Sequence, residues 1–321
     1  MRTDVASPVD PLSDLVEGRY EDELVVVTPR APNGISHCPS RVPGEVRTRH
    51  FTVVPCDGRL LVTYDLSSRE ISDDLVGVIS AELFAPGWVR GSQHFERILT
   101  GVVRSSRADG ADAWELFYRN TLDRFGELER SAGRRGPGPP QGSIDGYARV
   151  YRHAASLTPP GSTLETGCCY GFLSLLLAER GYDAIASDVA ERTVELLDGV
   201  LPRLGRPVRT LRADAGRLPL PDRSVDTVHA IHLLEQLDPA HGRRALLEAV
   251  RVARRRVVVA VALLDEADEA AGQLRTVTPS DLQAWGCSTG RPFDVHQHAG
   301  DGWLVVDLDE HRAHVGRLSP S

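Results

Sequence analysis

The 321-residue chain contains no lysine, so all 37 residues counted as Lys or Arg are arginine. GC-rich coding accounts for such a bias, and the bias itself excludes chemistry. Without a lysine amine there is no Walker-type phosphate loop and no Schiff-base catalysis, through pyridoxal phosphate or otherwise. Positive charge in excess is lacking too. A formal net charge of −8 argues against non-specific nucleic-acid binding, which rests on a basic face that neutralises phosphates. The run Arg254, Arg255, Arg256 precedes an apolar strand and reads as a solvated helix end. No apolar stretch reaches the roughly 18 residues of a membrane span, and the start has no signal-peptide pattern, so the expected location is cytoplasmic, with no membrane partner. Five scattered cysteines, Cys38, Cys56, Cys168, Cys169 and Cys287, include no Cys-x-x-Cys pair, which argues against a disulfide framework and a thiolate metal site.

What is present is an ordinary globular composition, 41% apolar and 26% charged, in a chain long enough for two domains. Residues 1–45 are rich in Pro, Gly, Ser and charge, and partial disorder is expected around one possible strand at Glu23–Val27. Residues 46–130 read as an α+β accessory domain. Phe51–Val54 and Leu60–Tyr64 flank a Cys56-Asp57-Gly58 turn and predict a hairpin. Leu75–Ile79 reads as a further strand. Apolar spacing predicts helices over Gln93–Val103 and Ala111–Leu128, the second carrying Trp114, Phe117, Leu122 and Phe125 as core. Residues 131–143, rich in Gly, Pro and Arg, are the expected linker.

The stretch Thr163–Asp188 organises the third region, residues 144–310. A strand ends at Glu165, a small-residue turn holds Gly167 and Gly171, a helix carries Leu173–Arg180, and a second strand, Ala184–Ser187, ends at Asp188. That is a βαβ unit. Glycines let backbone approach a ligand at the helix N-terminus, and a carboxylate after the second strand can accept from a ribose diol. The Gly-x-x-x-Gly spacing lacks the Gly-x-Gly-x-x-Gly of a dinucleotide site, which disfavours a nicotinamide cofactor.

Glu165, Gly167, Cys169 and Gly171, each two apart, instead resemble motif I of the class I S-adenosylmethionine-dependent methyltransferases, acidic-x-Gly-x-Gly-x-Gly, with Cys169 in place of the middle glycine. Asp214-Ala215 followed by the tract Leu218–Val228 resembles a second motif of the same family, in which the first Asp binds the adenine amino group. The resemblance implies a doubly wound, Rossmann-like α/β sheet of seven strands, mostly parallel, with the last antiparallel. It implies S-adenosyl-L-methionine as cofactor, held by Tyr147, Glu165, Gly167, Cys169, Gly171, Asp188, Val189, Asp214, Ala215 and Ile231. The remaining elements read as helices at Ile144–Leu157, Glu191–Leu204, Ala245–Arg254 and from Pro279, and strands at Pro207–Arg212, Asp226 onward, Val257–Leu264, Phe293–His296 and Trp303–Leu308, with a loose tail over 311–321.

Methyl transfer to a hydroxyl needs a group to take its proton. His232, just past the fourth strand at the carboxyl edge of the sheet, is the candidate base, with Glu235 beside it. His229, inside that strand, is expected to be core. His296 and His298 share one strand face and are weighed as a metal pair, but no ligand-spaced thiol or carboxylate completes it beyond Asp294 and Asp301, and no metal is assigned. The whole layout resembles the actinobacterial mycofactocin oligosaccharide methyltransferases, which implies a glucose hydroxyl in an oligosaccharide as acceptor. Other readings are a quinone or lipid hydroxyl as acceptor, or a fold that binds the cofactor without catalysis. The sequence leaves the oligomeric state open.

Overall fold

The computed structural model describes residues 7, 9–30, 43–131, 144–263 and 275–309. The chain divides into two units, residues 1–145 and 146–321. In the first, β1 (Tyr20–Glu21), β2 (Val25–Pro29), β3 (Val46–Arg47), β4 (Phe51–Cys56) and β5 (Arg59–Tyr64) form a sheet in the order β1-β2-β5-β4-β3. The expected hairpin is β4–β5, paired from Phe51↔Tyr64 to Cys56↔Arg59. The strand expected within Glu23–Val27 is β2, which lies inside the sheet, parallel to β5, with Val25 and Val27 fully buried. A run of valines gains more by burial on both sides than its polar flanks lose by ordering.

Leu75–Ile79 is a helix, α1, rather than a strand. Its apolar run hides a four-residue period. Ile71, Leu75, Ile79 and Leu83 are all fully buried while Gly77 and Ala81 between them are not, a spacing that suits a helix and not the every-second-residue face of a strand. Helices α2 (Ser92–Ser105) and α3 (Gly110–Ser131) follow, and Trp114, Phe117 and Phe125 are core as expected. Gly101 lets α2 lie close on the sheet, since a Cβ there would meet Val27 at 2.5 Å and Tyr20 at 2.8 Å. The linker stretch 132–143 lies outside the described residues, as does the tail.

The second unit opens with α4 (Ile144–Ser156) and alternates β6 (Ser162–Thr166), α5 (Phe172–Glu179), β7 (Asp183–Asp188), α6 (Glu191–Leu204), β8 (Val208–Arg212), β9 (Val225–Ile231), α7 (Pro239–Val252), β10 (Ala253–Ala262), α8 (Pro279–Ser288), β11 (Phe293–His298) and β12 (Asp301–Asp307). Its seven-stranded sheet has the order β11-β12-β10-β9-β6-β7-β8. All neighbours are parallel except β12, which runs antiparallel to both β10 and β11. The fold is thus a Rossmann-like α/β sheet with the last strand reversed. Winding proceeds outward from β6 through β7 to β8, then jumps back to β9. The crevice at the carboxyl ends of β6 and β9 is the topological switch point, where open α/β sheets bind ligands.

The basic run is not a helix end. Helix α7 starts earlier than Ala245, because Asp238 caps it by accepting from the Ala240 and His241 N–H groups and Pro239 fits the first turn. Arg254, Arg255 and Arg256 already belong to β10. Carboxylates on the flanking chain draw them in. Arg254 pairs with Asp226 at 3.2 Å, Arg255 with Asp309 at 3.3 Å, and Arg256 with Asp307 at 2.6 Å while donating to the Leu157 carbonyl at 2.7 Å.

Candidate active site

The loop between β6 and α5 is shaped by three consecutive constraints. Gly167 and Gly171 take φ of +68° and +71°, where a side chain is strained, and a Cβ at either would lie 2.7 Å from a Leu233 methyl or 2.6 Å from a Leu197 methyl and push that leucine aside. Cys169 also sits in the left-handed region, at φ +49°, with its side chain exposed. A non-glycine residue held there is strained by roughly 1–2 kcal/mol. Cys168 is turned the other way and buried; burial, with the nearby Glu165 and Asp188 charges, pushes its thiol well up, which leaves it inert.

Glu165 ends β6 almost wholly buried. Its Oε2 accepts from the Ser174 N–H at 2.9 Å and the Ser174 hydroxyl at 2.6 Å, so it satisfies an orphan donor of the first turn of α5. Burial raises its pKa to about 7, against the Ser174 hydrogen bonds and with the Asp188 charge adding to the rise. The residue expected to face the cofactor thus has one oxygen committed to the helix.

Asp188 stands at the carboxyl end of β7, half-buried. Its Oδ2 accepts from the Cys169 N–H at 3.0 Å and its Oδ1 from the Ala190 N–H at 2.9 Å. Two backbone donors hold the carboxylate in one orientation and leave a lone pair on each oxygen for a ribose diol. Val189, next along, is 67% exposed, an apolar side chain left open beside that carboxylate. Across the crevice, Asp214 and Ala215 occupy the turn after β8, and Ile231 ends β9, buried. Glycine turn, fixed carboxylate and exposed valine together offer the kind of surface that a nucleoside fits.

His232 follows β9 directly, and its N–H extends the ladder to the Ala260 carbonyl at 2.8 Å. It has φ +52°, an uncommon conformation for a non-glycine residue. Its Nδ1 meets Glu235 Oε1 at 3.1 Å; its Nε2 lies 3.6 Å from Asp301 Oδ2. Both carboxylates are almost completely buried, while a fifth of the imidazole side chain is exposed. Burial would lower the imidazole pKa, but the Glu235 hydrogen bond and the charges of Glu235 and Asp301 outweigh it and raise the value above 6.5. Glu235 Oε1 also accepts from the Ala262 N–H at 3.1 Å, and its Oε2 is buried with no hydrogen-bond partner among the described residues. Tyr147 on α4 presents its ring to His232 at 6.0 Å, edge on, and is stacked on Tyr151.

Sequence reasoning placed Asp301 only as a remote metal candidate. Its position opposite His232 follows from β12 pairing antiparallel with β10, Asp301↔Ala262, and no local signal carries that. His241 was missed as well: its Nε2 binds Asp214 Oδ1 at 2.5 Å. His229 is core, as expected, with Nε2 on the Thr158 hydroxyl at 2.9 Å and a pKa lowered to about 4 by burial. His296 and His298 gather with His153, and His298 is the register partner of Asp301 across β11 and β12. His296 Nε2 meets His153 Nε2 at 2.8 Å, Asp294 holds the other ring nitrogen at 2.8 Å, and His153 stacks on His298 at 3.9 Å. Among the described residues no group of three or more His, Cys, Asp or Glu is arranged to hold a metal ion, and no helix is long and apolar enough to cross a membrane.

Residues 164–261 match the family model described as a methyltransferase domain. That stretch runs from β6 to β10 and includes the glycine turn, Asp188 and Asp214. No curated protein matches the chain. Solved structures similar to it include a SAM-dependent methyltransferase from Aquifex aeolicus, at 16% identity over 58% of this chain and 98% of that one, TM-score 0.42. Magnesium protoporphyrin IX methyltransferase from Synechocystis, with bound SAM, has 18% identity over 58% of this chain and 94% of that one, TM-score 0.42. A SAM-dependent methyltransferase from Thermotoga maritima, described as a possible histamine N-methyltransferase, has 19% identity over 61% of this chain and 98% of that one, TM-score 0.42.

Proposed function

We propose that the chain is an O-methyltransferase whose acceptor is a sugar hydroxyl, with glucose in the oligosaccharide of mycofactocin as the acceptor that the sequence resemblance implies. The observation that carries the reading is His232, set between buried Glu235 and buried Asp301 at the carboxyl end of β9. S-adenosylmethionine, when bound, supplies an electrophilic methyl carbon. Asp188 would hold its ribose, Val189 would lie against the adenine, Asp214 would take the adenine amino group, and the loop of Gly167, Cys169 and Gly171 would admit its amino-acid part.

A hydroxyl must shed its proton as its oxygen attacks. Glu235 on Nδ1 fixes the imidazole tautomer, so Nε2 is the atom left to accept that proton. The imidazolium that forms is stabilised by two carboxylates it already faces, which raises the driving force for proton uptake. The same carboxylates oppose a carboxylate acceptor by like charge, and a neutral amine needs no such base. The arrangement therefore favours an acceptor that loses a proton in the step. A quinone or lipid hydroxyl would meet the same base.

The test is transfer of labelled methyl from S-adenosylmethionine to glucose oligosaccharides, read by mass spectrometry. His232→Ala and His232→Gln should each lower turnover by roughly 10²–10⁴-fold with cofactor affinity nearly unchanged. Wild-type activity should rise with pH through a value above 6.5, because the base works only when neutral and its pKa is raised. Asp301→Asn, which removes one raising charge, should move that limb to lower pH. Retention of most activity by His232→Gln would reduce His232 to an orienting role.

A further inference from the structure

Asp214 lies on a turn that a histidine from another element holds shut. Its Oδ1 accepts from the Gly216 N–H at 2.8 Å and from His241 Nε2 at 2.5 Å. A carboxylate only accepts, so Nε2 is the donor. Among the described residues Oδ2 carries neither a hydrogen bond nor an ion pair, and about half of the side chain is exposed. One oxygen is tied down and the other is offered.

The Gly216 bond alone would leave the carboxylate free to rotate about its side-chain bonds. The second donor, from a different direction, fixes its plane. His241 is itself fixed: Asp238 accepts from the His241 N–H and the Ala240 N–H, each at 3.0 Å, which locks the first turn of α7. Its ring lies against the Asp214–Gly216 turn. A Cβ on Gly216 would come within 2.9 Å of His241 Cδ2 and 3.0 Å of Nε2, so the turn has no room for a side chain beneath the ring. Aspartate cap, histidine, aspartate and open oxygen form one chain of contacts running from α7 to the turn after β8.

We propose that His241 is a positioning residue, which orients Asp214 so that its open oxygen selects the 6-amino group of the cofactor's adenine over a 6-oxo purine. The inference rests on the methyl-transfer reading only through its cofactor and is independent of the acceptor and of His232. A 6-oxo group offers Asp214 an acceptor where it needs a donor, so the carboxylate would be left unpaired against it.

The experiment is calorimetric titration of the full chain with S-adenosylhomocysteine and with S-inosylhomocysteine, the same molecule bearing a 6-oxo purine. The wild type should favour the adenine ligand by about tenfold or more, the scale of one hydrogen bond to a charged group. His241→Ala should bring that ratio close to one, and Gly216→Ala, which displaces the ring, should lower it as well. His241→Gln can place an amide N–H where Nε2 stood and should keep most of the preference. A merely structural role would weaken both ligands alike and leave the ratio unchanged; that result for His241→Ala overturns the proposal. So does a wild type that binds both ligands equally, while a wild type that binds neither overturns the cofactor reading itself.

Discussion

Replacing Glu165 with Gln should make the protein more stable at neutral and alkaline pH, although it removes a carboxylate from the motif that anchors the cofactor loop. In the fold, burial raises the Glu165 pKa from 4.5 to about 7, even though two Ser174 donors act in the opposite direction. The folded state therefore holds a proton more tightly than the unfolded chain. Stability from this group is complete below pH 4.5 and is lost as pH rises through about 7. At about 1.4 kcal/mol for each pH unit, the span from 4.5 to about 7 comes to about 3 kcal/mol. Glu165 is fully enclosed, so solvent does not screen this term. Gln keeps a carbonyl oxygen for the Ser174 N–H and hydroxyl and carries no charge at any pH. Urea unfolding of wild type and variant at a series of pH values from 4.5 to 8 reads the effect, since groups common to both proteins cancel in the difference. The variant's advantage should grow by about 3 kcal/mol across that range. A difference that stays flat with pH would refute the reasoning, because Glu165 would then be ionised, and compensated, throughout.

Two further outcomes concern the cofactor loop. Asp188→Ala should weaken S-adenosylhomocysteine binding in calorimetry by roughly 1.5–3 kcal/mol for each hydrogen bond lost to the charged group, with the circular dichroism of the fold preserved; an unchanged affinity would take Asp188 out of the site. Cys169→Gly should be close to neutral in stability, because relief of the φ +49° strain, about 1–2 kcal/mol, offsets the added backbone freedom, about 0.5–1 kcal/mol. Cofactor affinity should hold or improve, and a variant that binds well but loses turnover would show that the thiol takes part in the reaction.

Most elements of the second unit were legible because their signals are local. Glycines at 167 and 171 mark a turn that only left-handed backbone can make, Asp188 follows an apolar strand, and helix α6 spans Glu191–Leu204 as its spacing predicts. Legibility failed where two periods compete or where a partner is distant. Leu-Val-Gly-Val-Ile reads as a strand until Ile71 and Leu83 extend its period to four. Three adjacent arginines read as a helix end until the strand they open, with Asp226, Asp307 and Asp309 beside it, is known.

The same division runs through the site. By itself the sequence determined the βαβ unit, the glycine turn, the carboxylate after β7 and the position of His232 past β9, since strand ends and turn residues are written in neighbouring positions. Only the tertiary structure decided what those residues face. Asp301 reaches His232 because β12 inserts antiparallel beside β10, and His241 reaches Asp214 because α7 starts where the loop after β8 returns. Strand order and helix docking are set by burial summed over the whole sheet, and that sum has no local trace in the chain.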